Sequence, residues 1–308
     1  MSHVVAIAGG SGGLGRAVVD ALKMDSRYEP IILARKTNPV LQNDVGVPVL
    51  QADYSDPDSL VQLLEDNKID TVISTIAGLD QAPEVNLIKA ADRSTITRRF
   101  IPSVWSGFDY TQEQAKVSPM AAARLTLLDA MKATTSLEWT AIFPGVFLDF
   151  YALSTPSHVP RNAMAIDIDA NAAAIPGDGT YPVYFTHSTD IAKWTVALLG
   201  LKDWETKYFL VGDTKTWNEF IAIAEAAKGV KFDVAYDPIE KLERGEITEL
   251  PGNKALYELS GGKAMFQKFV AQIAVWMAEG RMLYKAPFLN EMFPDIRPLT
   301  VKAALSKN

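Results

Sequence analysis

Three glycines, Gly9, Gly12 and Gly15, stand at G-x-x-G-x-x-G spacing in AIAGGSGGLGRAVVDAL, between an apolar run and a helical pattern. A backbone without Cβ turns tightly and lets N–H groups approach a ligand, and the start of a helix favours negative charge. That combination suits the pyrophosphate of a dinucleotide, held by Gly9, Ser11, Gly12, Gly13, Leu14 and Gly15. The strand–turn–helix context gives the motif a weight that a glycine cluster alone lacks. A bare strand-to-helix turn is the competing reading.

The end of the second apolar run decides which dinucleotide is held. An NAD site places an acid there to accept from the ribose 2′-hydroxyl. LARKTN offers Arg35 and Lys36 instead, and two cations, one of them able to grip with two hydrogen bonds, suit a 2′-phosphate. These residues predict NADP(H). Asp53, in QADYSDPDSL, is placed to meet the adenine amino group and Tyr54 to cover the ring, with a turn role for Asp53 as the alternative. Ser74, Thr75 and Ile76 close the fourth strand on the carboxyl side, where such sheets bind ligands, and suit ribose contacts.

The elements that must position these residues alternate through the first half. Apolar runs at 4–8, 30–33, 47–51, 71–75, 99–102 and 139–143 read as strands. Helical patterns lie between them, with Leu14, Val18, Ala21 and Leu22 on one face and Asp56-Pro57 as an N-cap and first helical residue. Strands apolar on both faces and separated by helices imply a doubly wound parallel sheet of Rossmann type. The rhythm breaks near Pro144. Beyond it, 188–200 reads as a helix stopped by Gly200, Thr216 and Glu219 stand at capping-box spacing, and Phe266, Phe269, Val270, Ile273 and Met277 share one side of a long helix. The expected plan is a nucleotide domain over 1–150, also receiving 185–212, and a smaller α+β substrate domain over 151–308.

Composition narrows the function classes. The chain has 308 residues, 48% of them hydrophobic and 22% charged, so it needs no metal or disulfide to build a core. It has no cysteine, which excludes thiolate catalysis and Cys-ligated zinc. Its formal charge of −7, with basic residues scattered, disfavours a nucleic-acid partner. The three histidines show no metal-site spacing. No apolar run approaches the roughly 20 residues that span a bilayer, and the expected setting is cytoplasmic.

The strings GGSGGLG, ARK, ADYSDPDSL, DTVIST, RRFIPS, FTHSTDIAKW and FPDIRPLTV, in this order and spacing, resemble the NmrA-like and isoflavone reductase-like group of atypical short-chain dehydrogenases/reductases, which includes the phenylcoumaran benzylic ether reductases. The resemblance implies a Rossmann domain, NADP(H) and a small C-terminal domain that takes aromatic or otherwise apolar molecules. Ordinary members of the wider superfamily use a Tyr-x-x-x-Lys pair in which the cation lowers the phenol's pKa. Here Tyr110 and Lys116 are six apart, on an expected loop. The reductase group uses a single Lys at the start of the helix after RFIPS, and in register that Lys falls on Ala122; Arg124, nearby, is too basic to donate a proton.

The polar candidates left for catalysis are Ser103, Asp109, Tyr110 and Lys116. Trp105 and Phe108 offer an apolar wall, Pro144, Gly145, Val146 and Phe147 are expected to border the nicotinamide, and Phe150, Tyr151 and His158 are candidate substrate contacts. The expected activity is reduction of an activated C=N, C=C or C=O bond of an apolar metabolite, of the kind met in secondary metabolism. Without a general acid, a pre-activated substrate such as an iminium needs only hydride. Two alternatives compete: a non-catalytic dinucleotide sensor that regulates a protein partner, and a cyclase or isomerase that keeps the cofactor as scaffold.

Overall fold

The computed structural model describes residues 2–37, 39–284 and 286–306, and the chain divides into two compact units. The first comprises residues up to Phe143 together with Ile191–Phe209 and Pro287–Ile296. Its six-stranded sheet is built from β1 (His3–Ala8), β2 (Tyr28–Ala34), β3 (Val49–Gln51), β4 (Ile69–Ser74), β5 (Arg99–Ile101) and β6 (Glu138–Trp139). All pairings are parallel, in the order β3-β2-β1-β4-β5-β6. Val5 to Ala8, Ile32, Leu33, Val72 and Ile73 are sealed from solvent, as strands covered on both faces require. This order reverses direction between β1 and β4, which opens a crevice at their carboxyl ends.

Helices α1 (Gly13–Lys23), α2 (Pro39–Val45), α3 (Pro57–Asp66), α4 (Ala82–Arg93), α5 (Gln112–Val117) and α6 (Pro119–Lys132) connect the strands. Asp56 caps α3 through Asp58 N and Ser59 N, with Pro57 at its first position, as the sequence predicts. Two details differ from expectation. The run 139–143 is not one strand: Glu138–Trp139 pairs with β5, and Ala141–Phe143 pairs with Lys207–Phe209. The stretch expected as a loop around Lys116 contains α5, opened by a Thr111/Gln114 capping box.

In the second unit, Val146–Phe147, Pro182–Thr186 and Asp213–Thr216 form one small sheet, and Ile166–Asp167, Ala172–Pro176 and Asp233–Asp237 form another. The Thr216/Glu219 capping box starts helix Trp217–Lys228, and Lys263–Ala278 buries Phe266, Val270 and Met277 as the pattern requires, with Phe269 and Ile273 half-buried. The unit's centre is aromatic. Tyr151, Phe185, Trp217 and Phe220 pack with ring centroids 5.1 to 6.4 Å apart.

Arg99 holds the first unit together beside β5. Its guanidinium pairs with Glu138 at 2.7 Å, donates to the carbonyls of Leu199, Leu201 and Lys202, and stacks 4.7 Å from the Trp204 ring. Leu199 is the last residue of helix Ser188–Leu199, so the cation also satisfies orphan carbonyls at a helix end. Arg99→Met leaves the carboxylate and carbonyls without a partner. We expect it to cost about 2–3 kcal/mol, read as a lower urea midpoint with an unchanged m-value.

Candidate functional site

The glycine loop leaves β1 at Ala8 and turns through Gly9, whose φ of +81° lies in the left-handed region that favours glycine. At Gly15 the constraint is space: a Cβ there would sit 2.4 Å from Thr75 Oγ1 and 2.5 Å from the Gly9 carbonyl oxygen. Thr75 is itself fixed, its Oγ1 donating to Ala8 O at 2.8 Å. Gly12 and Gly13 show the reverse condition, because a Cβ on either would meet nothing within 4 Å. Helix α1 begins at this open side with no side-chain cap and no acid in its first turn, unlike α3, α5 and α6, which side chains cap. An open, glycine-lined turn at an uncapped helix start fits a pyrophosphate.

Along the carboxyl edge of the sheet, Arg35 and Lys36 follow β2 and are exposed. Asp53 follows β3, also exposed, and its Oδ1 accepts from Ser55 N at 2.9 Å and Ser55 Oγ at 2.6 Å. Those bonds hold its carboxyl below the usual range. Tyr54 differs from the expected ring cover. It is buried, its hydroxyl donates to Leu33 O, and burial pushes its phenol pKa up, so it ties β3 to β2 from within.

The ends of β4 and β5 meet at a buried carboxyl that sequence reasoning missed. Glu84, on the first turn of α4, is 1% exposed, and its Oε1 accepts from Ser103 N at 2.7 Å. Burial pushes its carboxyl up to about 7, against the opposing pull of Ser103 N, the Ser74 hydroxyl and the Arg124 guanidinium. Ser103 Oγ donates to Ile76 O, and Trp105 Nε1 donates to Ser74 O. One acid thus ties the loop after β4 to the loop after β5. Its sequence signal, a Glu beside Pro83 at a helix start, reads equally well as a surface residue favoured by the helix dipole.

The four catalytic candidates separate into two pairs. Ser103 belongs to the Glu84 network, and Tyr110 is buried against Phe108, bonded to Ser106, with the Arg124 charge nearby; burial pushes its phenol up. Asp109 and Lys116 lie on the surface in ion pairs, Asp109 with Lys207 at 2.6 Å and Lys116 with Glu113 at 2.6 Å along α5. Ala122 sits on α6 just after its Ser118 cap.

A family model described as NAD(P)H-binding matches residues 9–162. The chain belongs to this family. Oxidoreductase BOA1 of Botryotinia fuckeliana (strain B05.10) is 32% identical over 302 residues, 96% of this chain and 95% of that relative. Phenylcoumaran benzylic ether reductase Betv6 of Betula pendula is 28% identical, over 80% of this chain and 81% of its own. Among solved structures, the binary complex of leucoanthocyanidin reductase with NADPH from Vitis vinifera matches with a TM-score of 0.74 at 18% identity, covering 98% of each chain. The isoflavone reductase-like resemblance is borne out, and with it an NAD(P)H-dependent oxidoreductase.

In this oxidoreductase the remaining candidates lie in the second unit. Gly145 has a φ of +78° and a Cβ there would meet Tyr184 O at 2.4 Å, while Pro144 O accepts from Thr186 Oγ1. Val146 and Phe147 pair with Phe185 and Thr186, and the half-buried Phe147 and Phe150 rings lie 5.9 Å apart. His158 is exposed. Tyr151, expected on a substrate wall, is instead 1% exposed in the aromatic core. No group of three or more His, Asp or Glu side chains among the described residues is arranged to hold a metal ion. Among the described residues, no helix is long and apolar enough to cross a membrane.

Gly15→Ala forces backbone apart and should cost about 2 kcal/mol of stability as well as dinucleotide affinity. Gly12→Ala, whose Cβ projects into open space, should stay within about 1 kcal/mol of the parent yet lose dinucleotide binding in a fluorescence titration. For Glu84, the folded pKa lies above its ordinary 4.5, so the folded state holds its proton longer than the unfolded chain does. The contribution of Glu84 to stability is therefore full below pH 4.5 and falls as pH rises toward 7, by on the order of 3 kcal/mol. Glu84→Gln should flatten that decline in urea titrations taken across the range.

Proposed function

We propose that the protein is an NADPH-dependent reductase that delivers hydride to an activated C=N, C=C or C=O bond of an apolar or aromatic small molecule. The observation that carries the cofactor preference is the exposed pair Arg35 and Lys36 directly after β2, with no acid beside them. These two cations hold the 2′-phosphate, the Gly12–Leu14 backbone holds the pyrophosphate, and Asp53 faces the adenine amino group. When bound, the reduced nicotinamide supplies the hydride. The chain's own contribution is position: the Glu84 network fixes the loops that carry Ser103 and Trp105.

A C=N substrate that already carries its charge, an iminium, is favoured over a ketone. Two of the four polar candidates, Asp109 and Lys116, are spent in surface ion pairs, and Ala122 occupies the place of the group's Lys. Reduction of an iminium consumes hydride alone, so it makes the smallest demand on a proton donor. Phe147 and Phe150 offer aromatic surface for an apolar ring.

The test follows NADPH and NADH oxidation across a panel of cyclic imines, enones and ketones. The wild type should turn over at least one imine with NADPH favoured. The Arg35→Ala, Lys36→Ala double variant should raise the KM for NADPH about 100-fold, with little change for NADH. No turnover across the panel, together with equal binding of NADP+ and NAD+, would sink the reading and favour a sensor.

A further inference from the structure

Arg16 immediately follows Gly15 and stands in the N-terminal part of α1, where the helix dipole disfavours a cation. Its guanidinium is nevertheless mostly sheltered, at 14% exposure, and closely held. Nη1 donates to Asp44 Oδ2 at 2.7 Å, Nη2 to the Asp44 carbonyl oxygen at 3.0 Å, and Nε to Asp20 Oδ1 at 3.3 Å. The Asp44 bond raises the guanidinium's pKa further, so this cation is permanently charged.

Asp44 lies near the end of α2, a helix of seven residues that buries only Val45. A helix so short is marginal by itself, and one buried valine is a weak anchor. Two side chains of α1 reach its C-terminal end. Arg16 and Lys23 donate to the last carbonyls of α2, those of Asp44 and Val45, at 3.0 Å each. Cations at a helix C-terminus satisfy orphan acceptors and oppose the negative end of the dipole. Arg35 and Lys36 follow β2 directly, and α2 begins three residues beyond Lys36, at Pro39. Those two cations are thus held on one side by the sheet and on the other by a helix pinned from α1.

We propose that Arg16 is a positioning residue for the 2′-phosphate end of the cofactor site, acting through Asp44. The inference rests on the NADP(H) reading above. Arg16 is already committed to two carboxylates and a carbonyl, so it sets where Arg35 and Lys36 stand without gripping the phosphate itself. Releasing α2 lets the cation-bearing stretch sample arrangements that cannot bind, and affinity falls by the fraction of competent chains.

Calorimetric titration of the full-length protein with 2′,5′-ADP and with 5′-AMP tests this. Arg16→Met and Asp44→Asn should each weaken 2′,5′-ADP about tenfold while leaving 5′-AMP within about twofold. Arg16→Lys, which keeps the charge but cannot span both Asp44 atoms, should fall between them and the wild type. Asp44→Asn is decisive, because Asp44 is two-thirds exposed and its loss leaves the core intact. Simple charge repulsion predicts that removing this carboxylate tightens a phosphate ligand; positioning predicts the opposite. An Asp44→Asn protein that binds 2′,5′-ADP as well as the wild type or better overturns the inference. So does an equal loss of both ligands in Arg16→Met, which would place the effect in the glycine loop. A wild type that does not prefer 2′,5′-ADP overturns the NADP(H) reading itself, and the inference with it.

Discussion

The contact between the glycine loop and the end of β4 is the constraint on which the cofactor half depends. Thr75 reaches Ala8 O with both its N–H and its hydroxyl, and the same hydroxyl occupies the place where a Gly15 Cβ would be. Sheet pairing, loop conformation and the seat of α1 are therefore one arrangement. Because the strand order reverses between β1 and β4, that junction is also where the crevice opens. The packing that closes the fold and the gap that admits a ligand have a common origin.

Around this junction the polar groups fall into two energetic regimes. Asp109 with Lys207, and Lys116 with Glu113, are surface pairs of small consequence. Glu84, Arg124 and Tyr110 are withdrawn from water, where a missing or misplaced partner costs far more. Arg124 and Glu84 attract each other through charge rather than through a direct hydrogen bond. The loops after β4 and β5 inherit their rigidity from this cluster.

The glycine loop, the capped start of α3, the parallel sheet and the ARK cations were legible in the sequence because each is written in local backbone chemistry or strand periodicity. Other features were not, for identifiable reasons. α2 has one buried residue and hence no period to read. Glu84 looks like any first-turn acid, and only the packing of α4, α6 and the β5 loop withdraws it from water. Tyr54 and Tyr151 suit ligand surfaces by residue type and position in the sequence, yet tertiary packing claims both rings. Lys116 is the instructive case. Thr111 and Gln114 form a readable capping box, and the α5 that it opens places Glu113 within one turn of the lysine.

The dependence of α2 on two side chains from α1 has an evolutionary corollary. Cofactor preference in folds of this kind is often pictured as a short word written at the tip of the second strand. Here the helix that follows that stretch is moored to Arg16 and Lys23, which lie earlier in the chain, beyond the glycines. Transplanting Ala34–Lys36 alone into a related scaffold would move the letters without their page. On the proposed reading, a change at position 16 or 44 would alter which nucleotide is favoured while the strand tip stays unchanged.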